Sequence, residues 1–262
     1  MVSIVHEVER HPGDIHVMLY LLQRLTIRLS DVVVTLSRYV TGSVRSRWPD
    51  LPVIQAAHPP FRFEDLAVGP PMPLVMARRP VRLLVVGRML GYKGIGTARE
   101  AFSKLPRGAA QLRIVGDGNA ISDGAQDSGA GISVSNRWLS EAELVNEIDA
   151  ADLVLFPYDE ASQSGLVPLC LARGRPVVVT PVGGLAEQVS PAGAGIVLGD
   201  NQPESLARAV MPLCADRTAL LKMSALALRE SDSAAAWREL AERLASAFAL
   251  GRAAVAPRAE EA

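Results

Sequence analysis

The sequence has little with which to crosslink itself or cage a metal. It holds two cysteines, Cys170 and Cys214, with no paired spacing. That excludes a disulfide framework or a cysteine zinc site and reads as two reduced thiols. Its four histidines are His6, His11, His16 and His58, and no carboxylate or cysteine pattern around them has metal-ligand spacing. Aromatic residues are scarce at 5%. Neither sign of charge dominates: the formal net charge is −1, so nothing calls for nucleic acid as a partner. The most apolar stretch, residues 15–36, is interrupted by Gln23, Arg24, Arg28 and Asp31, which argues against a membrane span. Residues 1–10 are charged and lack the apolar run of a signal peptide. These absences lead to the expectation of a cytoplasmic globular protein.

What is present is aliphatic. Among 262 residues, 49% are apolar and 21% charged, a mix that suits buried parallel strands covered by helices. Residues 2–5 read as a strand, 15–29 as a helix capped by Asp14, 31–37 as a buried strand, 38–47 as a helix and 53–54 as a strand. The 15–29 helix places Ile15, Leu19, Leu22, Thr26 and Leu29 on one face. A proline-rich stretch, residues 58–80, has the composition of a loop or linker, with a domain boundary expected near residue 75. Beyond it strands at 81–86, 111–115, 133–136, 153–156, 176–180 and 196–198 alternate with helices at 94–104, 140–150, 165–173, 183–189 and 203–214. The glycine-rich segment 116–131 reads as a surface loop. Such alternation implies a doubly wound parallel sheet with right-handed crossovers. Two further helices, about 216–229 and 232–249, close the chain.

Three strand-to-helix turns could carry chemistry. Gly87-Arg88-Met89-Leu90-Gly91-Tyr92-Lys93-Gly94 follows a strand and offers a forked cation and a point charge where open α/β sheets bind ligands, a pairing suited to a diphosphate. A solvated loop is the bland alternative. The glycines do not fall as G-x-G-x-x-G, which counts against a dinucleotide enzyme. Pro157-Tyr158-Asp159-Glu160-Ala161-Ser162-Gln163-Ser164-Gly165-Leu166 leads into a helix whose start could hold an anion or simply be capped by Ser162 or Ser164. Val182-Gly183-Gly184-Leu185-Ala186-Glu187 could bring backbone close to a ligand or be only a tight turn.

In their order these motifs, with Gly116-Asp117-Gly118, Ser140-Glu141-Ala142-Glu143-Leu144, Ala151-Asp152 and Gly174-Arg175-Pro176, resemble the group 1 (family 4) glycosyltransferases of GT-B fold over residues 81–210. The resemblance implies a complete, Rossmann-like donor domain over residues 76–230, a partial Rossmann-like acceptor-side domain with its linker over 1–75, and a helix over 231–250, carrying Trp237, that crosses back to the first domain. It implies that Arg88 and Lys93 bind the donor diphosphate, that Gly165 and Leu166 amides hold phosphate beside Ser164, and that Gly87, Gly116, Gly118, Gly183 and Gly184 line the site. The backbone near Arg137 and Trp138 would touch the nucleobase, and Glu160 would lie by the donor sugar or ribose. The family's second glutamate, which grips the ribose, aligns with Cys170, and its first with Ser162. His6-Glu7, followed by His11-Pro12-Gly13, resembles the family's first-domain histidine motif, with His6 near donor sugar or acceptor. A structural histidine is the alternative. Ser30-Asp31 to Ser37 resembles the next strand, whereas the first domain's opening strands have no counterpart.

The activity so implied is transfer, with retention, of a sugar from a nucleoside diphosphate sugar to a glycan or lipid-linked acceptor in surface polysaccharide or glycoconjugate synthesis, with no cofactor and no obligatory metal. Alternatives are a nucleotide-sugar-binding fragment without turnover, a split transferase completed by a partner chain, and an epimerase of the same fold, which would want first-domain carboxylates and histidines not evident here. The 15–29 helix, basic only at His16, Arg24 and Arg28, could make a peripheral contact at the inner membrane face, with domain packing the preferred use.

Overall fold

The computed structural model describes residues 1–8, 17–61, 69–75, 78–120, 131–189, 193–230 and 233–255. The chain separates into two compact units, one formed by Met1–Pro59 with Ala234–Ala262, the other by Pro60–Ser233. The helix cap expected at Asp14, the side chains of His11, Ile15 and His16, and residues 121–130 of the glycine-rich loop lie outside the described residues.

The first unit contains β1 (Val2–Val5), α1 (Val17–Arg28), β2 (Val32–Thr35), α2 (Arg38–Arg47), β3 (Val53–Gln55) and the last helix of the chain, Ser233–Val255. Its three strands are parallel in the order β1-β2-β3. All of β2 is buried, because both of its faces are covered, which is why it reads as an unbroken valine run. Val33 packs with Ile27, Val40 and Val44, while Val32 and Val34 pack with Leu240 and Ala247 of the last helix. Ser37 ends the strand by capping α2, its side chain accepting the Val40 N–H at 3.1 Å.

One expectation is overturned in α1. The face proposed for packing is solvent-facing: Leu19, Leu22 and Leu29 are 62%, 51% and 63% exposed, and Ile27 points into the core. Met18, Leu21 and Leu25 are exposed as well. The helix is apolar on two sides, so periodicity alone could not say which one turns inward.

The second unit runs β4 (Val81–Val86), a single 3₁₀ turn (Gly91–Lys93), α3 (Ile95–Ser103), β5 (Ala110–Gly116), β6 (Ile132–Asn136), α4 (Glu141–Ala150), β7 (Leu153–Phe156), α5 (Leu166–Ala172), β8 (Val177–Val179), a 3₁₀ turn (Ala186–Gln188), β9 (Gly195–Val197), α6 (Pro203–Ala215) and α7 (Arg217–Glu230); the last helix of the first unit is α8. The expected helix over 94–104 is α3, preceded by the 3₁₀ turn, and that over 183–189 shrinks to one turn. Six parallel strands lie in the order β6-β5-β4-β7-β8-β9, the doubly wound arrangement. Leu83, Val85, Leu112 and Ile114 face α3 and α6, and Leu84, Val86, Val154 and Phe156 face the side of α4 and α5.

The amino ends of β4 and β7 are clamped by Asp152. Its buried carboxylate accepts two bonds from Arg79 (2.6 and 2.9 Å), one from the Arg82 amide (2.9 Å) and one from Arg217 (3.2 Å). Burial alone would raise this carboxyl, but the Arg79 and Arg82 donors hold it below the ordinary value. Residues 69–75 are tied to the same unit. Arg173 donates to the Gly69 carbonyl, Arg175 to that of Met72, and the Leu74 amide to Ser224 Oγ. Among the described residues no helix is long and apolar enough to cross a membrane.

Candidate functional site

Strand order reverses between β4 and β7, since β4 leads on to β5 on one side and β7 to β8 on the other. Ligands bind in the crevice beyond the carboxyl ends of strands at such a switch point. The two loops that flank it are Gly87–Gly94 and Pro157–Gly165, so the first two candidate motifs come together there.

The loops lock onto each other. Gly94 has φ +63°, and a Cβ there would lie 1.7 Å from the Pro157 carbonyl oxygen, so only glycine lets the turn dock. The Asp159 amide donates to the Tyr92 carbonyl at 2.8 Å. On the far side Gly183 (φ +50°) packs against Ala161, whose carbonyl oxygen would be 1.6 Å from a Cβ, and the Gly184 amide donates to that carbonyl. The paired glycines therefore brace the neighbouring loop. Gln188 completes the brace: its amide bonds the Ser164 N–H (2.8 Å) and carbonyl (2.9 Å).

Arg88 is exposed and Lys93 half-buried, and neither makes an ion pair among the described residues. The Lys93 ammonium lies 3.8 Å from the Tyr158 ring centroid and 5.0 Å from that of Tyr92. Burial, then the nearby Arg88 charge, outweighs the attraction of Tyr92 and brings its pKa down to about 8. Glu160 is exposed on the same loop.

The start of α5 is less open than the sequence suggests. The Ser164 amide is taken by Gln188, and the Leu166 amide donates to Ser164 Oγ at 3.4 Å. Both amides are thus engaged, and Gly165 at the N-cap has no side-chain cap. Gly87 abuts Leu166. Gly116 accepts the Arg137 amide (3.1 Å), and Asn136 bonds both the N–H and the carbonyl of Gly118. Arg137 pairs with Glu143 at 2.7 Å, the residue that closes the capping box of α4 with Ser140. Trp138 beside it is 74% exposed. Cys170 is fully buried in the core and its thiol is pushed up by burial, so the position aligned with the ribose-gripping glutamate faces away from solvent. His6 belongs to the other unit, at the carboxyl end of β1, where its ring meets that of His58 edge-on at 6.0 Å.

Tyr158, Gln188, Asn136 and His58 are contacts the motifs did not single out. Only Tyr158 and Gln188 had a signal, lying within or just after quoted loops. Among the described residues no group of three or more histidine, cysteine, aspartate or glutamate side chains could hold a metal.

The family model for glycosyl transferases group 1 matches residues 80–216, more than half of the chain. The chain belongs to this family. A GDP-mannose:glycolipid 4-beta-D-mannosyltransferase of Xanthomonas campestris pv. campestris is 30% identical over 120 residues, 43% of this group 1 chain and 34% of the relative. The match thus spans about a third of that relative's length. Solved structures that resemble the chain include a sucrose-phosphate synthase from Thermosynechococcus elongatus (TM-score 0.71, 19% identity, 95% of this chain and 68% of that one). Another is HepE of Anabaena in complex with UDP (TM-score 0.68, 15% identity, 94% and 72%). At such identities the likeness shows the fold, which is GT-B with Rossmann-like parallel sheets.

Proposed function

We propose that this group 1 chain supplies the donor-binding part of a glycosyltransferase that moves a sugar from a nucleoside diphosphate sugar to a glycan or lipid-linked acceptor. The observation that carries the reading is the pair Arg88 and Lys93, two cations without a carboxylate partner among the described residues, at the switch-point crevice. As the bond from sugar to phosphate breaks, negative charge collects on the departing diphosphate. Fixed cations in a partly desolvated site stabilise that charge without reorganising. Trp138, exposed after β6, offers an aromatic face for the base. HepE was solved with UDP and the Xanthomonas relative is named for GDP-mannose, so both bases belong in the test. No cofactor or obligatory metal enters the proposed chemistry, and the cytoplasm, where nucleotide sugars are made, is the proposed compartment.

Calorimetry with GDP, UDP and their sugars tests the donor site. Binding of at least one is expected, with Arg88→Ala weakening it by about 10- to 100-fold. A folded sample that binds none of them sinks the reading. Product linkage by NMR decides stereochemistry: the family resemblance implies retention, whereas the curated relative is named for a β-mannosyl product. A second reading, a nucleotide-sugar-binding unit that turns over only with a partner chain, is favoured by Cys170, buried where the ribose-gripping glutamate is expected. Binding without turnover would select it.

A further inference from the structure

We propose that Tyr158 is the positioning residue of Lys93: its ring face stands where an ion-pairing carboxylate would otherwise stand, keeping the ammonium charged yet unneutralised at the switch-point crevice. Three features of the geometry support this. Lys93 Nζ sits 3.8 Å from the Tyr158 ring centroid, well within the range in which a ring's negative face attracts a cation. The ring cannot swing away, because it is buried and packs edge-on against Phe156 at 5.6 Å and Tyr92 at 6.3 Å. The backbone on both sides is fixed, Gly94 docking beneath Pro157 and the Asp159 amide binding the Tyr92 carbonyl.

A carboxylate in this place would hold the lysine equally well, but it would cancel the charge that an incoming diphosphate needs. A ring attracts the cation without neutralising it. The hydroxyl of Tyr158 is buried beside Ser164 and Arg88 and makes no hydrogen bond to Lys93. The proposed role therefore belongs to the ring and not to the hydroxyl. The titratable and charged groups around the ammonium are Tyr92 on its own turn, Arg88 on the β4 loop and Tyr158 on the β7 loop. Burial pushes the Tyr158 phenol well above its ordinary value, so the ring stays neutral wherever Lys93 titrates.

Burial works against the charged lysine and the ring face works for it. Tyr158→Leu keeps the apolar wall and removes the ring, so Lys93 should lose its proton at lower pH, by about one unit. The chain has only three lysines, Lys93, Lys104 and Lys222, so ¹³C-labelled lysine side chains can be followed individually by NMR, with Lys93→Met giving the assignment. The expected result in the ligand-free chain is a Lys93 midpoint that falls in Tyr158→Leu and stays put in Tyr158→Phe. A midpoint that is unmoved or rises in a folded Tyr158→Leu sample overturns the proposal; Tyr158→Met serves if the leucine variant unfolds.

The consequence for ligands rests on the donor-site reading. GDP and UDP titrated from pH 6.5 to 9 should show the leucine variant weakened about fivefold at pH 8 and little at pH 6.5. A residue with only a packing role would weaken binding equally at every pH, and that pattern also overturns the proposal. If the native chain binds neither nucleotide, the donor-site reading fails, and the lysine midpoints still decide whether Tyr158 positions Lys93.

Discussion

At the scale of single residues, Lys93 sets function against stability. In the unfolded chain it keeps its proton to the ordinary 10.5, whereas in the folded chain it keeps it only to about 8. The unfolded state therefore binds more protons between those values, and stability rises with pH across that window. Below it the cost of burying the charge is fully present. Lys93→Met should accordingly stabilise the fold at pH 7 by roughly 1–3 kcal/mol in urea denaturation while weakening GDP or UDP binding. A methionine variant less stable than the native chain at pH 7 would show that burial of this charge carries no such cost. Cys170 shows what single residues hide in a sequence. The resemblance puts it at a ligand-gripping position, but a residue within a helix can face the core or the ligand, and here α5 turns Cys170 into the core.

At the scale of elements, the two ends of the second sheet do different jobs. The carboxyl end holds the braced loops, and the amino end holds Asp152 with its Arg79, Arg82 and Arg217 donors. Asp152→Ala should cost about 3–5 kcal/mol by thermal or urea unfolding, because it strands Arg79 and Arg217, with nucleotide affinity of the folded fraction unchanged. The native carboxylate contributes stability above the ordinary carboxylate range and loses it as pH falls through its lowered value. Much at this scale was legible. Leu83–Val86 and Leu153–Phe156 read as strand because parallel strands covered on both faces are near-continuous apolar runs. The contacts that shape the site were not legible, since Lys93 with Tyr158 and Ser164 with Gln188 join separate loops whose approach no local pattern records. The orientation of α1 was not legible either, because Leu19, Leu22 and Leu29 on one side compete with Ile27 on the other.

At the scale of the whole molecule, two units with separate cores should not melt as one. The first has a short three-stranded sheet, with α1 leaving Met18, Leu19 and Leu22 in solvent. The second has six strands covered on both faces. Calorimetry should give two transitions, the first unit melting at lower temperature, and GDP or UDP should raise only the upper one. A single transition that shifts as a whole with nucleotide would contradict this.

The lysine held on the tyrosine ring has one more property. An amine is a nucleophile only when neutral, and with a pKa of about 8 Lys93 spends a sizeable fraction of its time neutral at pH 7.5. Lys104, whose pKa is raised by Glu204, does not. Between these two lysines, a small acylating reagent or an aldehyde-bearing nucleotide should therefore mark Lys93 first, so that the residue proposed to meet the diphosphate is also a handle by which it can be tagged.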